Sequence, residues 1–158
     1  MIDQIINSIV VHNKAGLING DLKGENILIG RSNNKYLIKI SDFFTFMTWD
    51  DYCKTNKLRA WTKGYVPKCF EQNHYVGENL SKIEFFRLDI YALKKLCSVI
   101  INDLIHCEHL FSTEQKDKLK LFSEKLFTIN ENLEENESIG DLEKAFNTLL
   151  SDNNIDIK

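Results

Sequence analysis

No stretch of the 158-residue chain approaches the roughly 20 consecutive apolar residues a membrane span needs, so no transmembrane segment is expected. The opening Met1-Ile2-Asp3-Gln4 lacks the basic run of a secretion signal. Cys53, Cys69, Cys97 and Cys107 contain no C-x-x-C pair. They read as free thiols in a reducing compartment, which makes the expected location cytoplasmic. Charge of one sign is also scarce. A formal net charge of -3 gives no reason to expect a nucleic acid or an anionic membrane as partner. There is one proline, Pro67, which reads as turn chemistry. What remains is 43% hydrophobic and 27% charged. A chain of this length buries about 68–70% of its unfolded surface, enough for one core and too little for two ordinary domains.

The chemistry concentrates in Gly20-Asp21-Leu22-Lys23-Gly24-Glu25-Asn26, followed by the apolar run Ile27-Leu28-Ile29. It supplies a carboxylate that can accept a hydroxyl proton, a cation that can offset phosphoryl charge, and an amide oxygen that can hold a metal. Those are the parts a phosphoryl-transfer site needs. Standing alone, the same string is also a polar turn leading into a strand. Ile27–Ile29 and Tyr36–Ile40 flank a turn rich in Gly, Ser and Asn, so they read as a hairpin that delivers Ser41-Asp42-Phe43-Phe44. A hairpin holds its ends side by side, which lets Asn26 and Asp42 share one Mg²⁺.

Four stretches resemble the protein kinase family. Asp21, Lys23 and Asn26 match the catalytic loop H-R-D-x-K-x-x-N, with Asn19 in place of the His and Gly20 in place of the Arg. Asp42-Phe43 looks like the metal-binding D-F-G, with Phe44 for the Gly. Arg87-Leu88-Asp89-Ile90-Tyr91-Ala92-Leu93 looks like the segment that opens the central helix. Thr62-Lys63-Gly64-Tyr65-Val66-Pro67 resembles the end of the activation segment, although its A-P-E has degenerated and Glu71 stands two places late.

The resemblance implies a base in Asp21, a phosphate-side cation in Lys23, and Mg²⁺ ligands in Asn26 and Asp42. It implies a Thr62 tied to Asp21 and Lys23, and an Asp89 that braces the catalytic loop while also reading as a helix N-cap. The implied cofactors are Mg²⁺ and ATP. Gly20 removes the cation that would hold a phosphate on the activation segment, so phosphorylation of Thr48, Tyr52 or Thr55 is not expected to control activity. Phe44 is expected to restrict the metal-binding segment, because glycine permits backbone angles that other residues resist.

The expected fold class is mostly α with a small β-hairpin, a kinase-like C-terminal lobe built as a helical bundle around a central buried helix. The expected organisation is one domain over residues 1–150. It comprises an entry helix from about residue 2 to about residue 13, a catalytic loop at 19–26, a metal-binding segment at 41–44 and an activation segment at 42–69. A central helix at 88–106, terminal helices at 113–128 and 138–150, and a frayed tail at 151–158 complete it. His106 and His109 lack the carboxylates or cysteines that would complete a metal set.

The resemblance covers only the C-terminal lobe, with no counterpart of the Gly-rich phosphate loop or of the Lys–Glu pair that clamps ATP. One preorganised charge-stabilising donor is worth about 10²–10³ in rate, so the isolated chain is expected to be several orders slower than a complete kinase. Three readings follow. One is a minimal or split kinase that phosphorylates protein Ser/Thr hydroxyls, with a protein partner supplying the upper lobe against an apolar rim at Ile2, Ile27, Ile29 and Ile38. The second is a kinase-like binding or regulatory module without turnover. The third is a small-molecule phosphotransferase, whose H-G-D loops share Gly20.

Overall fold

The computed structural model describes residues 2–33, 35–68, 70–71, 79–107 and 111–131, the side chains at 2–3, 122 and 125–131 excepted. The chain forms two compact units, Met1–Leu93 and Lys94–Lys158. The described residues are mostly helical with two small antiparallel sheets. No helix among them is long and apolar enough to cross a membrane.

The first unit begins with α1, Ile2–Lys14. Ile5, Ile6 and Ile9 fall on one helical face and are buried. Gly16 ends the helix at φ +77°, a left-handed conformation with little cost for glycine. β1, Leu17–Ile18, follows at once. β2, Ile27–Ser32, pairs antiparallel with β3, Lys35–Ile40, with Ile27 opposite Ile40 and Ile29 opposite Ile38. Both strands run further into the turn than the expected hairpin. β4, Met47–Thr48, returns to pair with β1, Leu17 opposite Thr48 and Ile18 opposite Met47.

β3 is also fastened to α1 by one side chain. The Gln4 amide donates to the Tyr36 carbonyl at 3.1 Å and accepts from the Ile38 N–H at 3.0 Å.

A short helix, α2, Trp49–Thr55, lies within the stretch expected to be the activation segment. Thr48 caps it by accepting from the Asp51 N–H at 3.1 Å, and Asp50 and Asp51 favour its positive end. Asn56, left-handed at φ 50°, closes it.

The next helix, α3, runs from Lys82 to His106 and crosses the boundary between the two units. It begins six residues before the expected start at 88. The cause is a capping box: Ser81 Oγ accepts the Glu84 N–H at 3.3 Å, and Glu84 Oε2 accepts the Ser81 N–H at 2.8 Å. Asp89 therefore lies inside the helix and is not its N-cap.

The core of the first unit gathers Ile18, Met47, Tyr52, Val66, Phe70, Phe85 and Leu88. Its centre is aromatic. The Trp49 and Tyr52 rings stack at 5.5 Å, and both meet Phe85, at 5.4 and 5.3 Å. Such pairs add about 0.5–1.5 kcal/mol each beyond the area they bury. The Tyr52 hydroxyl accepts the Leu80 N–H at 2.9 Å, tying α2 to the approach of α3.

In the second unit, α4 spans Thr113–Glu131 and starts from another capping pair, Ser112 with Gln115. Leu96, Cys97, Ile101 and Leu119 are buried, and the Ser98 and Ser123 hydroxyls share a buried 2.8 Å hydrogen bond. Burial pushes the Cys97 thiol up to about 12, so it is an inert packing residue. Cys53, Cys97 and Cys107 are free thiols. Cys69, the expected helix at 138–150 and the tail at 151–158 lie outside the described residues.

Candidate functional site

Asp89 of α3 holds the loop after β1. Asp89 is fully buried, and its two carboxylate oxygens accept the Asn19 N–H at 2.7 Å and the Gly20 N–H at 3.0 Å. Burial pushes the Asp89 carboxyl up to about 6, although the two N–H donors pull it the other way. Gly20 has φ +79°, and a Cβ there would lie 3.5 Å from the Thr45 carbonyl oxygen and 3.6 Å from that of Ala60. The loop thus runs between both ends of the segment that follows the hairpin, in a conformation that disfavours any side chain.

Asn19 turns the chain towards Asp21. Its Oδ1 accepts the Asp21 N–H at 3.0 Å. Its Nδ2 is buried without a partner among the described residues. At sequence level Asn19 is a mere departure from the kinase pattern, and only the fold reveals that it orients the residue two positions on.

Asp21, Lys23 and Thr62 form one closed network. Lys23 Nζ donates to Asp21 Oδ2 at 2.7 Å and to Thr62 Oγ1 at 2.8 Å. Thr62 Oγ1 donates to Asp21 Oδ1 at 2.5 Å. Asp21 is 6% exposed, so this pair is worth more than a surface salt bridge. Each carboxylate oxygen has two lone pairs and carries one bond, so capacity remains for an incoming hydroxyl.

The hairpin sets the second half of the site. Asn26 Nδ2 donates to the Asp21 carbonyl at 2.9 Å, which leaves Oδ1 as the acceptor of that planar amide. The Ser41 N–H and hydroxyl both reach the Asn26 carbonyl, at 2.8 and 3.1 Å. The strand pairing thus extends one step past Ile27–Ile40, and Asp42 stands one residue beyond the partner of Asn26.

Asp42 is left-handed, φ 61° and ψ 56°, a conformation that aspartate tolerates better than most residues. Its side chain is exposed and has no hydrogen-bond or ion-pair partner among the described residues. The Thr45 hydroxyl and N–H hold the Asp42 carbonyl, at 2.8 and 3.2 Å. Phe44 lies in the following 3₁₀ turn with ordinary backbone angles, and its ring is 89% exposed. The positive φ falls on the aspartate, and Phe44 itself keeps a backbone conformation open to any residue. Phe43 stacks on Phe46 at 5.5 Å.

The segment from 45 to 63 is held by its own side chains. Arg59 donates to the Phe46 carbonyl at 2.7 Å and lies 3.6 Å from Asp51. The Thr48 hydroxyl caps α2, the Tyr52 hydroxyl is bonded within the core, and the Thr55 hydroxyl meets the Asp51 and Lys57 carbonyls. Glu71 accepts the Gly64 N–H at 3.0 Å and closes the turn after Thr62.

The structure therefore brings Asp21, Lys23 and Thr62 into direct contact, joins Asn26 to Asp21 through the backbone, and sets Asp89 beneath the loop. It places Asp42 at the hairpin exit without a bond to the others. His106 bonds the Asn102 carbonyl at 2.7 Å, His109 lies outside the described residues, and no cluster of His, Cys, Asp and Glu among the described residues could hold a metal ion. Compared with known proteins, the chain matches no protein-family model, no curated protein and no solved structure.

Proposed function

We propose that this chain is the acceptor-side lobe of a protein kinase-like phosphotransferase. It would pass the γ-phosphoryl group of Mg-ATP to a serine or threonine hydroxyl of a protein. A protein partner would contribute the ATP-clamping parts that these residues do not include. The observation that carries the reading is the closed Asp21–Lys23–Thr62 network, built from residues up to 41 positions apart and suspended from Asp89. A polar turn before a strand has no need of a buried carboxylate beneath it or of a distant threonine on it.

The acceptor hydroxyl oxygen forms a bond to the γ-phosphorus as the bond from that phosphorus to the β,γ-bridging oxygen breaks, and ADP leaves. Asp21 takes the hydroxyl proton on its carboxylate. Lys23, already on Asp21, offsets the charge spread over the transferred group. Asn19 and Asp89 act through Asp21 by fixing its backbone, so they are positioning residues.

The donors fit a magnesium ion in kind. Asn26 Oδ1 and the unbonded Asp42 carboxylate are hard oxygens set one step apart across the hairpin. Mg²⁺ held there would neutralise phosphate charge.

A second reading draws on Asp42. An exposed, unpartnered carboxylate at the metal position also suits a kinase-like module that binds without turnover. The third, a small-molecule phosphotransferase, shares Gly20 but leaves the Thr62 bonds to Asp21 and Lys23 without a role.

The test is Mg-ATP binding and phosphate transfer, measured for the chain alone and with protein that co-purifies with it. Asp21→Asn should lower transfer by about 10²–10⁴ while nucleotide binding persists. Asp42→Asn should abolish Mg²⁺-dependent nucleotide binding with the fold intact. Binding without transfer in every context selects the second reading, and no nucleotide binding in any context removes the enzyme readings.

A further inference from the structure

The segment that carries Thr62 is basic in a chain that is not. Between Tyr52 and Phe70 stand Lys54, Lys57, Arg59, Lys63 and Lys68, with no aspartate or glutamate. These five cations sit in a chain of formal net charge -3, so the remaining residues sum to -3 - 5 = -8. All five are exposed. Lys54 and Arg59 share one carboxylate, that of Asp51, at 3.2 and 3.6 Å. Lys57, Lys63 and Lys68 have no ion-pair partner among the described residues. The carboxylate nearest in sequence to Lys63 and Lys68, Glu71, is engaged by the Gly64 N–H.

A run of exposed lysines is ordinarily a solvated face. Position distinguishes this one. Lys63 directly follows Thr62, whose hydroxyl is bonded to Asp21, and Lys68 lies in the stretch whose ends, Gly64 and Glu71, are bonded to each other. The positive stretch therefore borders the point where an acceptor hydroxyl must arrive. It is short, which suits a short acidic peptide better than a nucleic acid, whose backbone charge would need to be met along a longer track.

We propose that the acceptor is an acidic protein segment, with aspartate or glutamate within a few residues of the hydroxyl, recognised by Lys63 together with Lys57 and Lys68. The word acceptor rests on the phosphoryl-transfer reading above, but the recognition itself does not need turnover. These lysines are far enough into solvent to act chiefly through long-range attraction, which selects and steers a partner more than it tightens the complex.

The test is binding of labelled 12-residue peptides, read by fluorescence anisotropy on the full chain. Each peptide has a central serine flanked by Glu, Gln or Lys, and single-stranded RNA of matched charge competes. The Glu peptide should bind best, weaken as salt rises, and lose about 10-fold or more in the Lys57→Glu/Lys63→Glu/Lys68→Glu variant, at about 2–5-fold per lysine. The Gln peptide should be indifferent to that variant, and circular dichroism should be unchanged. The proposal is overturned if the Gln peptide binds as tightly as the Glu peptide, if the Glu peptide shows no binding at millimolar concentration, if the triple reversal leaves it unaffected, or if the RNA displaces it at equal charge. If the Glu preference stands while no phosphate is transferred in any context, the phosphoryl-transfer reading falls and the acidic-peptide surface survives.

Discussion

Replacing Asp89 by asparagine tests the support of the loop with a sign that two explanations predict oppositely. Burial raises the Asp89 carboxyl from its ordinary 3.8 to about 6. The folded state then holds this proton more tightly than the unfolded state does. The stabilising contribution is complete below pH 3.8 and is lost as pH rises through 6. At 1.36 kcal/mol per unit, the shift amounts to about 3 kcal/mol in full, of which about 2–3 kcal/mol falls between pH 4 and pH 7.5.

His12 works the other way. Burial lowers its pKa, so its contribution is lost as pH falls through the ordinary value of 6.5. A single stability profile mixes the two effects. The difference between wild type and Asp89→Asn isolates Asp89, because His12 is common to both. The amide has one acceptor for two N–H donors, which costs about 1–3 kcal/mol, but that offset does not vary with pH.

The assay is urea unfolding followed by the fluorescence of Trp49 and Trp61, both packed on the core of the first unit. The wild-type advantage should shrink by about 2–3 kcal/mol from pH 4 to pH 7.5. A difference that is flat, or that grows with pH, refutes the reasoning. It would mean that the Asn19 and Gly20 N–H groups outweigh burial and keep the carboxylate ionised.

Thr62→Val should remove two hydrogen bonds and leave the Lys23–Asp21 pair. It should lower stability by about 1–2 kcal/mol and phosphate transfer by about 10²-fold with Mg-ATP affinity unchanged, and equal transfer rates would remove Thr62 from the site. Gly20→Ala should cost about 1–2 kcal/mol through backbone strain alone, since the added Cβ meets only ordinary contacts; a thermal melt lowered by about 2–8 °C is the readout. Ser81→Ala should cost about 0.5–2 kcal/mol and let the first turn of α3 fray. Hydrogen exchange at 82–86 should then quicken while that of Asp89 does not, and unchanged exchange at 82–86 would mean that the Ser81–Glu84 box does not set the helix start.

The hairpin and the entry helix were legible because their apolar periodicity matches their structure. Ile5, Ile6 and Ile9 repeat at helical spacing, and Ile27–Ile29 and Tyr36–Ile40 bracket turn residues. The links among Asp21, Lys23 and Thr62 were implied by resemblance to a family, and no local pattern carries them. The resemblance of Arg87–Leu93 puts the start of α3 at residue 88, whereas the capping box Ser81-Lys82-Ile83-Glu84 sets it at Lys82. The start of α2 was marked in the same way by Thr48 and Asp51. The β1–β4 pair could not have been read. Two-residue strands carry no periodicity, and their pairing depends on long-range packing. The role of Asn19 was hidden for a related reason, since its partner is a main-chain group and leaves no trace in residue identity.

Gln4 is a residue of a helix that does the work of a strand. By offering one donor and one acceptor to Tyr36 and Ile38, it occupies two main-chain groups on the outer flank of β3. An isolated two-stranded ribbon ordinarily presents two sticky borders on which another chain can polymerise. Here one border is interrupted from within, so cross-β growth through Tyr36 and Ile38 would first have to pull the amide of Gln4 out of its seat.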